Sequence, residues 1–287
     1  MNKNDKFQLN NGLYIPKIGF GVWQNVDYKE CVDSVYLAIK NGFRLIDTAD
    51  IYTNEEAVGE AIKKAISEGI VNRQELFITT KLWIDQFEDA YESIQLALKK
   101  LQVEYIDLML LHQPYGNIFN AWKGLEKAYK EGLIKAIGIS NFKPDVYENL
   151  SFFAEIKPMV NQIEVNPFHQ RYDDVNYFQE NNVQIQAWSP LATGKNNIFN
   201  NETLLKIAKK HKTTIPVIVS KWLIQRNIIP LVKSTNEDHI KEFSYVNSFE
   251  LDNQDIEDIK SLNQNASVYF DHRDPETVKY ILSRKTR

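Results

Sequence analysis

The sequence predicts a single (β/α)8 barrel, the TIM-barrel architecture. Three observations carry that expectation. The chain has 287 residues with 43% hydrophobic content, enough for a large core and only modestly longer than the ~250 residues typical of one complete α/β barrel. Short apolar runs alternate with longer amphipathic stretches along almost the whole chain, the pattern of stacked βα units around a parallel sheet. The competing architecture, an open doubly wound sheet, lacks its fingerprint. Gly19-Phe20-Gly21 continues as Val22-Trp23-Gln24, without the third glycine that lets the helix of a dinucleotide-binding turn pack closely on its strand.

Taken in order, Phe7 to Ile15 places Asn11-Gly12 between two short alternating runs, which predicts a tight β-hairpin over about 7–15 ahead of the barrel. Eight strands are expected at Ile18–Val22, Arg44–Thr48, Phe77–Lys81, Ile106–Leu111, Ile134–Ser140, Met159–Glu164, Gln184–Ser189 and Ile229–Lys233. Helical periodicity falls between them, at Tyr28–Lys40, Glu55–Ser67, Phe87–Leu101, Ile118–Glu131, Pro144–Ala154 and Asp173–Glu180. Several of these open on acidic residues and one on proline, as helix starts prefer. Glu202–Lys210 and Ile215–Gln225 read as two helices before the last strand, and Asn236–Phe243 and Asp252–Ser261 follow it. The extra helices predict decoration of one domain spanning 1–287. From Asn263 to Arg287 the pattern is poorly periodic until Pro275–Ser283, so this stretch is expected to wrap the barrel as a tail.

A formal charge of −4 with no dense Lys/Arg block argues against nucleic-acid and membrane partners. The polar start and the absence of any long apolar run predict a cytoplasmic protein. The single cysteine, Cys31, cannot make an internal disulfide, which fits a reducing compartment. Its helical setting makes it read as a small apolar residue. The five histidines show no His-x-x-x-His or Cys-His spacing, so no metal is expected.

Polar residues at the carboxyl ends of barrel strands face the active-site mouth. Those ends read Asp47-Thr48, Thr80-Lys81, His112, Ser140-Asn141, Gln162-Ile163-Glu164 and Trp188-Ser189. Taken singly, each could be a solvated rim group. Asp47, Lys81 and His112 all follow buried apolar runs, however, and isolated buried charges cost several kcal/mol unless paired or used.

The residues also match a family pattern. Gly42-Phe43-Arg44-Leu45-Ile46-Asp47-Thr48-Ala49, then Glu55 and Val58-Gly59, closely resembles the N-terminal signature of the aldo-keto reductases. The resemblance continues in Ile78-Thr79-Thr80-Lys81-Leu82-Trp83, Leu111-His112, Gly138-Ile139-Ser140-Asn141-Phe142, Asn161-Gln162-Ile163-Glu164, Trp188-Ser189-Pro190-Leu191 and Val232-Lys233-Ser234. These blocks run in the family's order across nearly the whole chain. The chain resembles bacterial members related to diketogluconate and glyoxal reductases, and the tail Tyr269 to Glu276 looks like that of some of them.

By this resemblance Asp47, Tyr52, Lys81 and His112 correspond to the catalytic tetrad of an NAD(P)H-dependent reductase of small aldehydes and ketones. The chemistry suits these residue types. Reducing a carbonyl requires hydride at carbon and a proton at oxygen, and a phenol of pKa about 10 is a reluctant donor at neutral pH. Lys81 is expected to lower the Tyr52 pKa, Asp47 to hold Lys81 charged, and His112 to hydrogen-bond the substrate oxygen. The hydride must come from a cofactor. Trp188 is suited to stack on a nicotinamide, and the resemblance gives Ser140, Asn141 and Gln162 to its carboxamide and Ser189 and Leu191 to the pyrophosphate. Lys233, Ser234 and the following helix would hold the adenosine phosphate.

The chain departs from the pattern where many members carry an arginine on the 2′-phosphate: His239 stands there, and the usual Glu-Asn pair reads Glu242-Phe243. An imidazole replaces only part of a guanidinium's charge and geometry, so NADPH is expected with NADH possible. Trp23, Trp83 and Gln113 are expected to line the substrate pocket. Gln113 stands where a bulky aromatic is frequent, which predicts a small or hydroxylated substrate. Relatives of this kind are often monomers, and a monomer is the expectation. Two other readings stay open on sequence: a barrel lyase with Lys81 as Schiff-base nucleophile, and a cofactor-binding redox sensor.

Overall fold

The computed structural model describes residues 5–286. Its centre is a closed barrel of eight parallel strands: β3 (Gly19–Gly21), β4 (Leu45–Asp47), β5 (Phe77–Leu82), β6 (Leu108–Leu111), β7 (Ile137–Ser140), β8 (Val160–Glu164), β9 (Gln184–Trp188) and β10 (Ile228–Val232). Closure comes from β10 pairing with β3, Leu231 opposite Gly19. The strands are almost entirely buried, as expected where helices cover the outside and side chains fill the inside.

The connections between barrel strands return through helices, most of them amphipathic, with the helix at Ile215–Gln225 buried almost throughout. These are α1 (Tyr28–Lys40), α2 (Glu55–Ser67), α3 (Ala90–Leu101), α4 (Ile118–Lys130), α5 (Pro144–Phe153), α6 (Tyr172–Glu180), α7 (Glu202–Lys210) and α8 (Ile215–Gln225), then α9 (Glu237–Glu242), α10 (Asn253–Lys260) and α11 (Pro275–Ser283). Their starts follow local chemistry. Asp27, Asn117, Asn201, Asp252 and Asp274 each accept a backbone N–H of the first turn. Gly59 lets α2 approach the end of α3, because a Cβ there would lie 2.6 Å from the carbonyl oxygen of Leu101.

The larger departures from the sequence expectation are at the hairpin, at the starts of β6 and β7, and at the start of α3. The hairpin strands β1 (Lys6–Gln8) and β2 (Tyr14–Pro16) pair antiparallel, but not through a two-residue Asn-Gly turn. Gly12 N–H donates to Leu9 O, Leu9 N–H donates to Leu13 O, and only Gly12 (φ +85°) is left-handed among the loop residues, giving a three-residue loop. Asn10 and Asn11 donate to the carbonyls of Pro158 and Lys135, so the hairpin closes the amino end of the barrel. Strands β6 and β7 begin two and three residues later than expected, with Ile106 and Ile134 meeting only in an isolated bridge. Here the Asp107 carboxylate accepts from Ile78 N–H and Arg73. Helix α3 begins at Ala90 instead of Phe87, because the Gln86 side chain accepts the Trp83 N–H and closes a separate turn over Ile84–Gln86.

The tail crosses the carboxyl mouth of the barrel. Glu164, at the end of β8, accepts from Ser267 Oγ (2.6 Å) and Val268 N–H (3.2 Å). Further along, Tyr115 Oη donates to His272 O, Trp83 Nε1 donates to Arg284 O, and Asp85 accepts from Thr286.

Candidate active site

At the same mouth lies a cavity of about 800 Å³. Asp47, at the last position of β4, is 4% exposed, and Lys81 on the neighbouring β5 is 1% exposed. Parallel pairing sets the two strands side by side, and Lys81 Nζ donates to Asp47 Oδ1 at 2.7 Å, to Thr48 O at 2.8 Å and to Tyr52 Oη at 3.3 Å. An ammonium has three hydrogens and no acceptor capacity. All three are thus committed, and the Tyr52 oxygen must be the acceptor in its contact. Its own hydrogen is therefore free to point elsewhere, into the cavity that Tyr52 lines.

Burial opposes the charge on Lys81, but Asp47 and Tyr52 outweigh it and hold the lysine above its ordinary pKa. That leaves no free amine for a Schiff base, which tells against the lyase reading. Burial pushes the Asp47 carboxyl up, with Lys81 pulling it down. Tyr52 corrects an expectation. Lys81 does favour its phenolate, but burial outweighs the lysine, so the phenol's pKa is raised, not lowered. The phenol thus holds its proton more tightly than a free one.

His112, the residue after β6, is 8% exposed, its ring edge-on to Tyr52 at 5.6 Å and to Trp83 at 5.0 Å. Burial, then the charge of Lys81, lowers its pKa well below the ordinary value, so the imidazole is neutral. Its Nδ1 is buried without a partner. A buried N–H without an acceptor is costly, so the hydrogen belongs on Nε2, where the ring can donate to a ligand.

The opposite wall is a chain of hydrogen bonds. Gln162 Nε2 donates to Asp47 Oδ2 at 2.8 Å and to Gln186 Oε1 at 3.0 Å. Ser140 Oγ donates to Gln162 O, and Asn141 Nδ2 donates to His112 O and to Ser140 Oγ. Trp188 Nε1 donates to Asn141 Oδ1 at 2.9 Å. Asn141 (φ 65°) and Ser189 (φ 50°) are left-handed, which turns the chain sharply at the ends of β7 and β9.

These groups fit a nicotinamide cofactor. Gln162 spends its N–H groups on protein acceptors, leaving its oxygen to accept from a carboxamide, while Trp188 presents an aromatic face. Both Asn141 N–H groups are already used, so it has only oxygen lone-pair capacity to offer.

Of the residues singled out from sequence, Trp23, Asp47, Tyr52, Trp83, His112, Gln113, Ser140, Asn141, Gln162, Trp188, Ser189, Leu191 and Lys233 line the cavity, and Lys81 lies directly behind Tyr52. Ser234 and His239 are not among the lining residues. Ser234 Oγ is engaged with Asn236, and His239 is exposed in the short helix α9. Ser189 meets a protein partner instead of standing free, since its hydroxyl and that of Thr193 contact Tyr269 Oη. The sequence reading assigned no site role to Tyr269, Phe270, His272, Tyr280 and Arg284 of the tail, all of which line the cavity. The crowding of aromatic residues at Tyr269-Phe270 was the available signal.

The sequence model of the Aldo/keto reductase family matches residues 17–264. The chain belongs to that family. Among its relatives, a glyoxal reductase of Bacillus subtilis (strain 168) is 40% identical over 267 residues, covering 92% of this chain and 95% of that protein. A methylglyoxal reductase of Escherichia coli (strain K12) is 38% identical over 260 residues, covering 90% and 93%. An aldo-keto reductase of Bombyx mori, solved in complex with NADP, superposes with a TM-score of 0.89 at 33% identity and covers 96% of each chain. The polar site of this chain sits at the carboxyl end of its barrel.

Proposed function

We propose that this NADPH-dependent aldo/keto reductase acts on small aldehydes, ketones and dicarbonyls of the glyoxal and methylglyoxal kind, with Tyr52 giving the proton to the carbonyl oxygen. The observation that carries this reading is the full commitment of the Lys81 ammonium to Asp47, Thr48 O and Tyr52 Oη, which leaves the phenol hydrogen available to a ligand. Bound NADPH supplies the hydride. Tyr52 and His112 Nε2 then meet the substrate oxygen from two sides, and Lys81 stabilises the phenolate once the proton has gone. Asp47 holds Lys81 in place. Ser140, Asn141, Gln162 and Trp188 would position the nicotinamide, Ser189 and Leu191 the pyrophosphate, and Lys233 with Ser234 and His239 the adenosine phosphate. Trp23, Trp83 and Gln113 would line the substrate end.

We further infer a cytoplasmic monomer with no nucleic-acid or membrane partner. In support, the net charge is −4, Cys31 is buried with its thiol pushed up to about 11 by burial, and no helix among the described residues is long and apolar enough to cross a membrane. The functional test is consumption of NADPH by the purified protein with glyoxal and methylglyoxal, with the alcohol identified as product. No consumption of NADPH or NADH with any of a panel of carbonyls would contradict the reading. NADPH is expected to bind more tightly than NADH.

A further inference from the structure

We propose that Lys100 is a positioning residue for the proton donor: by pairing with Asp50 it holds the turn that carries Tyr52, and Glu55 competes for the same ammonium. The proposal rests on the reading of Tyr52 as the proton donor.

Tyr52 ends a single helical turn, Asp50–Tyr52, between β4 and α2. The chain leaves this turn through Thr53 in left-handed conformation (φ 57°), so only a short stretch of backbone separates the Asp50 carboxylate from the phenol. On one side the turn is fixed by Thr48 Oγ1, which donates to Asn54 Oδ1 at 2.7 Å, while Asn54 Nδ2 donates to Val22 O at 3.0 Å. On the other side the hold is Lys100 Nζ, which donates to Asp50 Oδ1. Lys100 stands in the last turn of α3, where the carbonyl end of a helix favours a cation. Its backbone is firmly seated, because a Cβ on Gly59 of α2 would lie 2.8 Å from Lys100 O. The place of the phenol matters on a fine scale. Lys81 lies 2.7 Å from Asp47 and 2.8 Å from Thr48 O but 3.3 Å from Tyr52 Oη, so a shift of the turn by about a few tenths of an ångström breaks the contact with Tyr52 first.

Glu55 makes this hold depend on charge. Beside the turn is a hollow of about 200 Å³ whose charged lining groups are Asp50, Glu55, the exposed Glu56 and Lys100, with Thr53 and Thr286 of the tail as neutral ones. Glu55 accepts from Thr80 Oγ1 of β5 at 2.6 Å, whereas its Oε2 has no hydrogen-bond partner and lies 3.5 Å from Lys100 Nζ. Two buried carboxylates, Asp50 and Glu55, thus face one ammonium. With Glu55 protonated, its hydroxyl can donate to Asp50, and Lys100 is left to Asp50 alone. With Glu55 ionised, one buried negative charge is in excess; it repels Asp50 and draws Lys100 away, and the turn loosens. Burial, opposed by Thr80 and Lys100 and assisted by Asp50, raises the Glu55 pKa to about 7. Tyr52 is held above its ordinary pKa and His112 well below its own, so neither changes charge in that range.

The test measures kcat at saturating NADPH and glyoxal as pH is raised through the Glu55 range, in the wild type, Glu55→Gln, Lys100→Met and Lys100→Arg. Wild-type kcat should fall by about three- to tenfold as pH passes about 7, the worth of one lost hydrogen bond. In Glu55→Gln the step should vanish. Lys100→Met should lower kcat by a similar factor on the acid side of the step, with the Kd for NADPH unchanged, and Lys100→Arg should restore most of it. A wild-type profile without the step, the same step in Glu55→Gln, or wild-type kcat in Lys100→Met would overturn the proposal. If Lys100→Met does not fold, the Glu55→Gln profile decides alone. Failure of the proton-donor reading shows separately, as turnover near the wild-type rate in Tyr52→Phe or as no turnover with any carbonyl. The hold on the turn is then read from the NMR shift of Tyr52 labelled with carbon-13 at Cζ, which should move with pH through about 7 in the wild type and stay fixed in Glu55→Gln. A signal fixed in the wild type, or moving alike in both, would overturn it.

Discussion

Lys81 sits among three oxygens with no water-facing side, and the chemistry of the site follows from that enclosure. Burying an ammonium is costly, and here the cost is offset by one carboxylate and two neutral acceptors within 3.3 Å. Lys81→Met removes one partner of a buried pair and leaves Asp47 with only Gln162. A loss of about 3–5 kcal/mol of stability is expected in denaturant titration, together with loss of carbonyl turnover; a variant as stable as wild type would show that the pair is not buried as described. Much of this was legible residue by residue. Asp47, Lys81 and His112 stand out because each ends an apolar run. Tyr52 did not stand out by itself, since a tyrosine in a strand-to-helix loop is commonly packing, and only the family resemblance singled it out. Gln186 gave no local signal at all, although it is fully buried against Gln162. The net direction of the Tyr52 pKa was not legible either. It depends on how completely the site is buried, which only the closed barrel fixes.

At the scale of the element, the first turn of α2 holds a second buried acid. Glu55 is 2% exposed, accepts from Thr80 Oγ1 at 2.6 Å and lies 3.5 Å from Lys100 Nζ. Lys100 also pairs with Asp50, in the turn that carries Tyr52. Burial raises the Glu55 pKa from 4.5 to about 7, with Thr80 pulling it down and Asp50 adding to the rise. A carboxyl whose folded pKa is raised binds its proton more tightly in the folded state. The stability it contributes is present at pH below 4.5 and is lost as pH rises towards about 7. Glu55→Gln cannot titrate, so the stability of wild type relative to this variant should fall across that window in denaturation curves taken at successive pH values. A difference that rises with pH, or stays flat, would show that Glu55 is ionised in the fold. Helices were the most legible elements. Those at Tyr28–Lys40, Glu55–Ser67, Glu202–Lys210 and Ile215–Gln225 fall where periodicity puts them. Boundaries slipped where a side chain took up a backbone N–H, as Asp107 does just before β6 and Gln86 does ahead of α3.

At the scale of the molecule, the barrel gathers strand ends from distant parts of the chain at one mouth, the hairpin closes the other end, and the tail lies across the mouth. The eight-strand architecture was legible because alternation repeats. The path of the tail was not, because it depends on contacts such as Ser267 with Glu164, 103 residues apart in sequence. Glu164 is therefore the clasp. Glu164→Ala should loosen residues 267–272 and raise KM for carbonyl substrates several-fold with a smaller effect on kcat, and an unchanged KM would mean that the tail holds its place without the clasp. The proton donor itself is tested by turnover of Tyr52→Phe with NADPH and glyoxal, measured beside the Kd for NADPH. Expected is a fall in kcat of about 100- to 10,000-fold with the Kd essentially unchanged, whereas turnover near the wild-type rate would contradict the role given to the Tyr52 hydroxyl.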